Sequence, residues 1–169
     1  MMEYSYFSYP SPLGILKIAF NKRGIKGISF CNCDKNININ KDKFIRNSDF
    51  LMYKYIFCEL NKYFTGKLRV FEVPVILEGT DFQKRVWQEL KRIPYGNFST
   101  YGEIARAIGS PKAARAVGNA NNKNKLPIII PCHRVIGSTG NLTGYAGGLE
   151  RKKWLINHEK KYRKGVSIG

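Results

Sequence analysis

A cysteine and a histidine stand side by side in Pro131-Cys132-His133-Arg134, and this is where the sequence could do chemistry. A thiol is nucleophilic only as the thiolate, and a neighbouring imidazole or guanidinium favours that form. Ile128, Ile129 and Ile130 precede it and predict a short buried strand, which Pro131 stops because proline cannot donate to a ladder. Attack by sulfur, with His133 as the base, is the chemistry these residues permit. The same residues also describe an inert buried thiol beside a satisfied turn histidine. Glu159 near the C-terminus could orient His133 and raise its basicity, the third-group logic of an activated nucleophile. It could equally be an ordinary surface glutamate on a basic helix.

The chain as a whole is strongly basic. Its 169 residues hold 29 Lys+Arg against 12 Asp+Glu, a net charge of +17, and such an excess attracts polyanions, nucleic acid foremost. A generic basic surface or an anionic membrane fits the charge as well. With 43% apolar residues the chain can build a real core. No apolar run approaches a membrane span and the N-terminus lacks a basic-then-apolar signal segment, so a soluble intracellular protein is expected: cytoplasmic, nucleoid-associated in a prokaryote or nuclear in a eukaryote. Cys31, Cys33, Cys58 and Cys132 form no Cys-x-x-Cys pair, and His133 and His158 are the only histidines. Zinc held by Cys31, Cys33 and Cys58 would lack a usual fourth ligand, so no metal is expected. Neither is a nucleotide cofactor. The glycine-rich stretch from Gly137 to Gly148 has no phosphate-loop signature and reads as a loop that passes close to a ligand.

The first half supplies a scaffold. Leu13 to Phe20 and Ile25 to Phe30 predict two strands joined by the turn Asn21-Lys22-Arg23-Gly24. Residues 31–47 read as an Asn/Lys-rich loop. Ser48-Asp49 opens a helix whose stripe of Phe50, Tyr53, Phe57, Leu60 and Phe64 should pack on the hairpin, with Gly66 as its C-terminal cap. Val70 to Leu77, broken by Pro74, suggests an edge strand. A boundary near Glu78-Gly79 divides the chain into an N-terminal α/β scaffold domain, 1–78, and a second domain, 79–169.

In the second half, Thr80-Asp81 caps a helix with Phe82, Val86, Trp87 and Leu90 on one face. Thr100-Tyr101-Gly102-Glu103 is a capping box that opens a short helix ended by Gly109. Ser110 as N-cap and Pro111 at the first helical position start another. The pair has the outline of a helix-turn-helix, as has any pair of helices joined by a short turn. A last helix runs from about Leu149 to Lys160. The fold class is therefore α+β: a small antiparallel sheet with a helix, followed by a mostly helical domain.

The second helix of that pair presents Lys112, Ala114, Arg115, Gly118 and Asn119, small side chains around one long cation. Major-groove readers present several long polar side chains. A small-residue helix instead suits close approach to the minor groove with little sequence preference, Arg115 filling a gap in the base stack. A close helix–helix contact with Arg115 solvated fits the same residues.

Ile-Pro-Cys-His-Arg-Val-Ile, preceded by Ala-Arg-Ala-Val-Gly and Asn124 and followed by Gly-Tyr-Ala-Gly-Gly-Leu and His-Glu, resembles the O6-alkylguanine-DNA alkyltransferases. The match runs from about Thr80 to Glu159, while the first half resembles the family only in outline. The resemblance implies that Cys132 accepts the alkyl group, His133 deprotonates it through a water, and Glu159 orients His133. It implies that Asn124 braces the cysteine turn and that Tyr101 supplies a proton or hydrogen bond to the flipped guanine. Arg115 would replace that base in the stack. The carbonyls of Cys132 and Val135 would read the guanine amino group, and Tyr145-Ala146 would wall the pocket. The partner implied is double-stranded DNA carrying O6-alkylguanine, bound by a monomer with no membrane involved.

Three positions depart from the common family pattern. Asn119 stands where many members have glycine, Lys125 where proline is common, and Ala146 where serine is common; the last two bear on the range of alkyl groups. A non-catalytic DNA-binding module and a cysteine hydrolase compete with the alkyltransferase reading. The first would not need Cys132, and the second would leave the basic helix-turn-helix unexplained.

Overall fold

The computed structural model describes residues 4–31 and 43–163. Most of the Asn/Lys-rich loop, with Cys33, lies outside the described residues. The chain divides into two compact units, Met1–Leu77 and Glu78–Gly169.

In the first unit, β1 (Ser5–Ser11), β2 (Gly14–Asn21), β3 (Gly24–Phe30) and the two-residue β4 (Lys43–Phe44) form an antiparallel sheet in the order β3-β2-β1-β4. The expected hairpin is β2–β3. Its turn is tight because Arg23 N–H donates to the Asn21 side chain at 2.8 Å. β1 is an addition to the expected elements, and so is β4, cut from the end of the expected loop. Leu16, Ile18 and Phe20 alternate along β2 and are fully buried, as a period of two requires of one sheet face.

Helix α1 (Phe50–Phe64) covers that face. Its most buried residues are Ile56, Leu60 and Tyr63, and the aromatic stripe flanks them: Phe7 meets the Tyr53 ring edge-on at 4.9 Å, and Tyr9 stacks on Phe64 at 5.9 Å. Val70 to Leu77 forms no full strand. Pro74 has no N–H to offer, and the buried Glu59 carboxylate takes the amides of Glu72 and Val73 at 3.1 and 3.0 Å. One parallel bridge, Ile25 to Val75, is what remains. It presses Pro74 so close that a Cβ on Gly24 would stand 2.4 Å from its carbonyl oxygen, so only glycine fits there.

The second unit holds α2 (Asp81–Leu90), β5 (Ser99–Thr100), α3 (Tyr101–Ala107), α4 (Ala114–Asn122), β6 (Val135–Ile136) and α5 (Leu149–Arg163). Both N-terminal signals act as capping boxes, Thr80 with Gln83 and Thr100 with Glu103. Val86, Trp87 and Leu90 bury one side of α2, and the Trp87 indole donates to the Ala120 carbonyl at 2.9 Å, fixing α2 to α4.

Gly109 ends α3 in the left-handed region, φ 73°, with Ser110 N–H closing back on Ala105 O at 2.9 Å. This corrects the expected start of α4. The Ser110 carbonyl accepts the Ala113 amide at 2.8 Å, so Ser110 and Pro111 make a turn, and the helix begins only at Ala114 with Ala113 as its cap. Lys112 therefore precedes the helix.

The triple-isoleucine run is also corrected. It is buried, but it folds as a turn between Pro127 and Ile130, with Ile130 N–H on Leu126 O at 2.9 Å and Ile128 at φ 76°. A β-branched residue in that region is strained.

Candidate active site

The strained turn ends in a single 3-10 turn, Cys132–Arg134, in which all three residues are buried. Cys132 N–H closes on Ile130 O at 2.7 Å and Arg134 N–H on Pro131 O at 3.0 Å. Asn124 braces the approach. Its Nδ2 donates to Ile130 O at 2.9 Å, and its Oδ1 accepts the Leu126 amide at 2.9 Å. Burial pushes the Cys132 thiol up to about 11. A hydrogen bond from Asn124, the Lys152 charge and the backbone of Cys132 and His133 pull the other way without overcoming it. The resting sulfur is thus a thiol, and a base must remove its proton.

His133 is fully buried, and its Nε2 lies 2.7 Å from Glu159 Oε1. Glu159 also accepts from Arg134 Nε at 2.9 Å, Arg134 Nη2 at 3.0 Å and the Gly96 amide at 3.0 Å. Burial would raise the Glu159 carboxyl, but His133 and Arg134 outweigh it and hold the group well below the usual carboxylate range. An ionised Glu159 can only accept, so Nε2 carries the histidine proton and Nδ1 carries the lone pair. Nδ1 has no hydrogen-bond partner among the described residues. Burial lowers the His133 pKa, against the pull of Glu159, so the ring rests neutral with Nδ1 open to a proton.

Two phenols lie within electrostatic reach of the sulfur. Tyr101 opens α3 and donates its hydroxyl to Thr143 O at 3.0 Å. Burial raises the phenol pKa, the Thr143 bond opposes it, and the nearby Cys132 adds a smaller upward push. Tyr145 is buried, and burial and then the Cys132 charge raise its phenol well above the ordinary value. Val135 is buried in β6, and its carbonyl accepts Lys152 Nζ at 2.6 Å; the same ammonium reaches Thr143 O at 2.7 Å. Ala146 is exposed.

The structure therefore gathers Cys132, His133, Glu159, Asn124, Tyr101, Tyr145 and Val135 into one site. Arg115, Ala116 and Asn119 are exposed on the opposite side of α4 from the buried Val117, Ala120 and Asn121. Ala114 and Gly118 are half-buried, and a Cβ on Gly118 would meet the Tyr101 ring at 3.8 Å, so this glycine lies between the outer face of α4 and the site.

Sequence reading missed three buried polar groups. Arg134 grips both oxygens of Glu159 and donates to Ile93 O at 2.6 Å. Lys152 is fully buried, and Asn121 donates to the Cys132 carbonyl at 3.3 Å. The signal for Lys152 was available: with Leu155, Ile156 and Glu159 it completes the i, i+3, i+4, i+7 face of α5.

Two family descriptions match this chain. "6-O-methylguanine DNA methyltransferase, ribonuclease-like domain" covers residues 4–77, and "6-O-methylguanine DNA methyltransferase, DNA binding domain" covers residues 81–161. A methylated-DNA–protein-cysteine methyltransferase of Methanosarcina acetivorans is 47% identical over 91% of this chain and 97% of its own. The crystal structure of the Mycobacterium tuberculosis O6-methylguanine methyltransferase superposes with a TM-score of 0.81 at 41% identity, over 95% of this chain and 94% of that one. A crystal structure of the OGT of M. tuberculosis in complex with DNA also gives 0.81, at 42% identity and over 93% of each chain.

Proposed function

This chain belongs to the 6-O-methylguanine DNA methyltransferase family, and we propose that Cys132 is the residue on which it lodges the alkyl group. It is a DNA repair protein that moves an alkyl group from DNA to one of its own cysteines. The partner is double-stranded DNA carrying O6-alkylguanine, chiefly O6-methylguanine, met by a monomer wherever the cell keeps its DNA. Residues 1–78 act as the scaffold, and residues 79–169 bind DNA and accept the alkyl group.

The observation that carries the assignment to Cys132 is the buried His133–Glu159 pair, which leaves a histidine lone pair open in the residue next to the thiol. Displacement at the saturated O6-alkyl carbon needs a soft nucleophile, and sulfur is the best side chain for it. His133 Nδ1, through one bridging water, takes the thiol proton. The sulfur then forms the new S–C bond as the C–O6 bond breaks, and its electron pair leaves on guanine. Tyr101 supplies a hydrogen bond or proton to the charged base, and the proton taken by His133 restores its neutrality. The carbonyls of Cys132 and Val135 accept the guanine 2-amino group, and Tyr145-Ala146 wall the pocket. The product is a thioether with no carbonyl for water to attack, so each molecule acts once.

The target carbon lies inside a duplex, so the base must leave the stack. Lys112, Ala114, Arg115, Gly118 and Asn119 form the DNA-contacting set, with Arg115 in the first turn of α4 as the group that replaces the flipped base. Arg115→Ala should slow repair of duplex DNA on the order of 10- to 100-fold, because unstacking costs a few kcal/mol. Reaction with free O6-benzylguanine, which needs no flipping, should change little. Single-turnover rates on both substrates check this, and equal losses on the two would remove Arg115 from the role.

A further inference from the structure

We propose that Asn122, the last residue of α4, holds a phosphate of the flipped nucleotide while its base occupies the site. The proposal rests on the reading above that Cys132 acts on a base taken out of the duplex.

Arg115, Gly118, Asn119 and Asn122 stand at i, i+3, i+4 and i+7, so one stripe of α4 carries all four. Arg115, Asn119 and Asn122 are exposed on it, and Gly118 is half-buried. At 1.5 Å per residue, Arg115 and Asn122 lie about 10 Å apart along the helix axis. Tyr101 lies against the stretch between them, since a Cβ on Gly118 would meet its ring at 3.8 Å. Its hydroxyl reaches the glycine-rich loop at the far end of the stripe. A Cβ on Gly144 would lie 3.2 Å from that hydroxyl and 3.7 Å from Asn122 Oδ1. The stripe thus runs from the cation assigned to the gap in the stack to the tyrosine assigned to the flipped guanine, and Asn122 stands at the tyrosine end.

A flipped nucleotide has its base beside Cys132 and its neighbours still in the duplex. Its sugar and phosphates must therefore cross the edge of the site, where Asn122 stands. The two nearby asparagines turn their amides inward, Asn121 onto Cys132 O and Asn124 onto Ile130 O, whereas Asn122 faces out. A phosphate oxygen accepts from an asparagine Nδ2, and such a contact fixes position without reading sequence. Arg115 and Asn122 then divide the work: one keeps the stack closed behind the base, the other keeps the extruded nucleotide in place.

The test is a double-mutant cycle on single-turnover repair of duplex DNA. One change is Asn122→Ala. The other replaces one phosphate beside the O6-methylguanine, on its 5′ or its 3′ side, with an uncharged methylphosphonate. Each rate is divided by the same protein's rate with free O6-benzylguanine, which carries no phosphate and reports the site and the fold alone. On ordinary DNA, Asn122→Ala should lower this ratio about fivefold, as loss of one partly exposed hydrogen bond to a charged group implies. On DNA neutralised at the phosphate that Asn122 holds, the substitution should make little further difference. Asn122→Asp, the same shape with a repelling charge, should lower the ratio further than alanine on ordinary DNA and lose that excess on the neutralised DNA. An unchanged ratio for Asn122→Ala, or effects that simply multiply at both phosphates, would overturn the proposal and leave the alkyl-transfer reading intact. A wild-type protein that accepts the alkyl group from neither substrate would overturn that reading as well.

Discussion

Replacing Glu159 with glutamine should destabilise the protein by about 3–5 kcal/mol, the cost of removing one partner from a buried ion pair. Glu159 is 1% exposed, and its two oxygens accept from His133, from two nitrogens of Arg134 and from the Gly96 amide. Glutamine keeps the volume but has only one acceptor oxygen, and its amide turns a second donor toward Arg134. The guanidinium, 7% exposed, is then left buried without a counter-charge. Urea unfolding of wild type and variant measures the loss, and a change under about 1 kcal/mol would mean that the cluster is not formed in solution.

The same cluster fixes a pH dependence. His133 and Arg134 hold the folded-state pKa of Glu159 below that of the unfolded chain. Its stabilisation is therefore complete above the ordinary carboxylate range and is lost as pH falls from about 5 toward the folded value. Wild type should lose stability over that window, and Glu159→Gln should lack this part of the slope.

The second large effect concerns the thiol. With its pKa pushed up to about 11 by burial, Cys132 in the free protein should react slowly with iodoacetamide at neutral pH. The rate should climb roughly tenfold per pH unit well past the range of an ordinary cysteine, whose pKa is about 8.5. Lys152, lowered by burial to about 8, loses its charge on the way; the sulfur then loses a favourable neighbour, and the climb should flatten slightly above that pH. Labelling of the Cys132 peptide, followed by mass spectrometry at several pH values, gives the curve. A plateau below pH 9 would show an already activated thiol and would make the His133–Glu159 pair unnecessary as a base.

The parts of this fold legible in the sequence were those with local signals. Thr80 and the Thr100–Glu103 box announced α2 and α3, Gly66 and Gly109 announced where helices end, and Asn21 to Gly24 announced a hairpin turn. What failed were segments whose backbone bonds are decided from a distance. Val70 to Leu77 reads as a strand, but Glu59 takes its amides. Ile128 to Ile130 reads as a strand, but the bond from Ile130 to Leu126 and the Asn124 side chain bend it into a turn. Ser110-Pro111 carries a helix-start signature that the capping of the preceding helix pre-empts.

The site divides in the same way. Cys132, His133 and Glu159 were visible as residue types whose chemistry suggests partnership. Arg134 and Asn121 were not, because a buried charge or amide looks like a surface residue until the groups that satisfy it are placed around it, and Lys152 showed only as the one cation on the buried face of α5. The resemblance to a family supplied roles for the first group and was silent on the second.

One sulfur is the proposed acceptor, and stoichiometric labelling tests that role directly. Protein incubated with duplex DNA containing O6-methylguanine, digested and mapped by mass spectrometry, should carry one methyl group on the Cys132 peptide. The amount transferred should stop at one per molecule however much DNA is supplied. An unmodified Cys132 while the DNA is repaired, a methyl group on any other residue, or more than one repair event per molecule would contradict it.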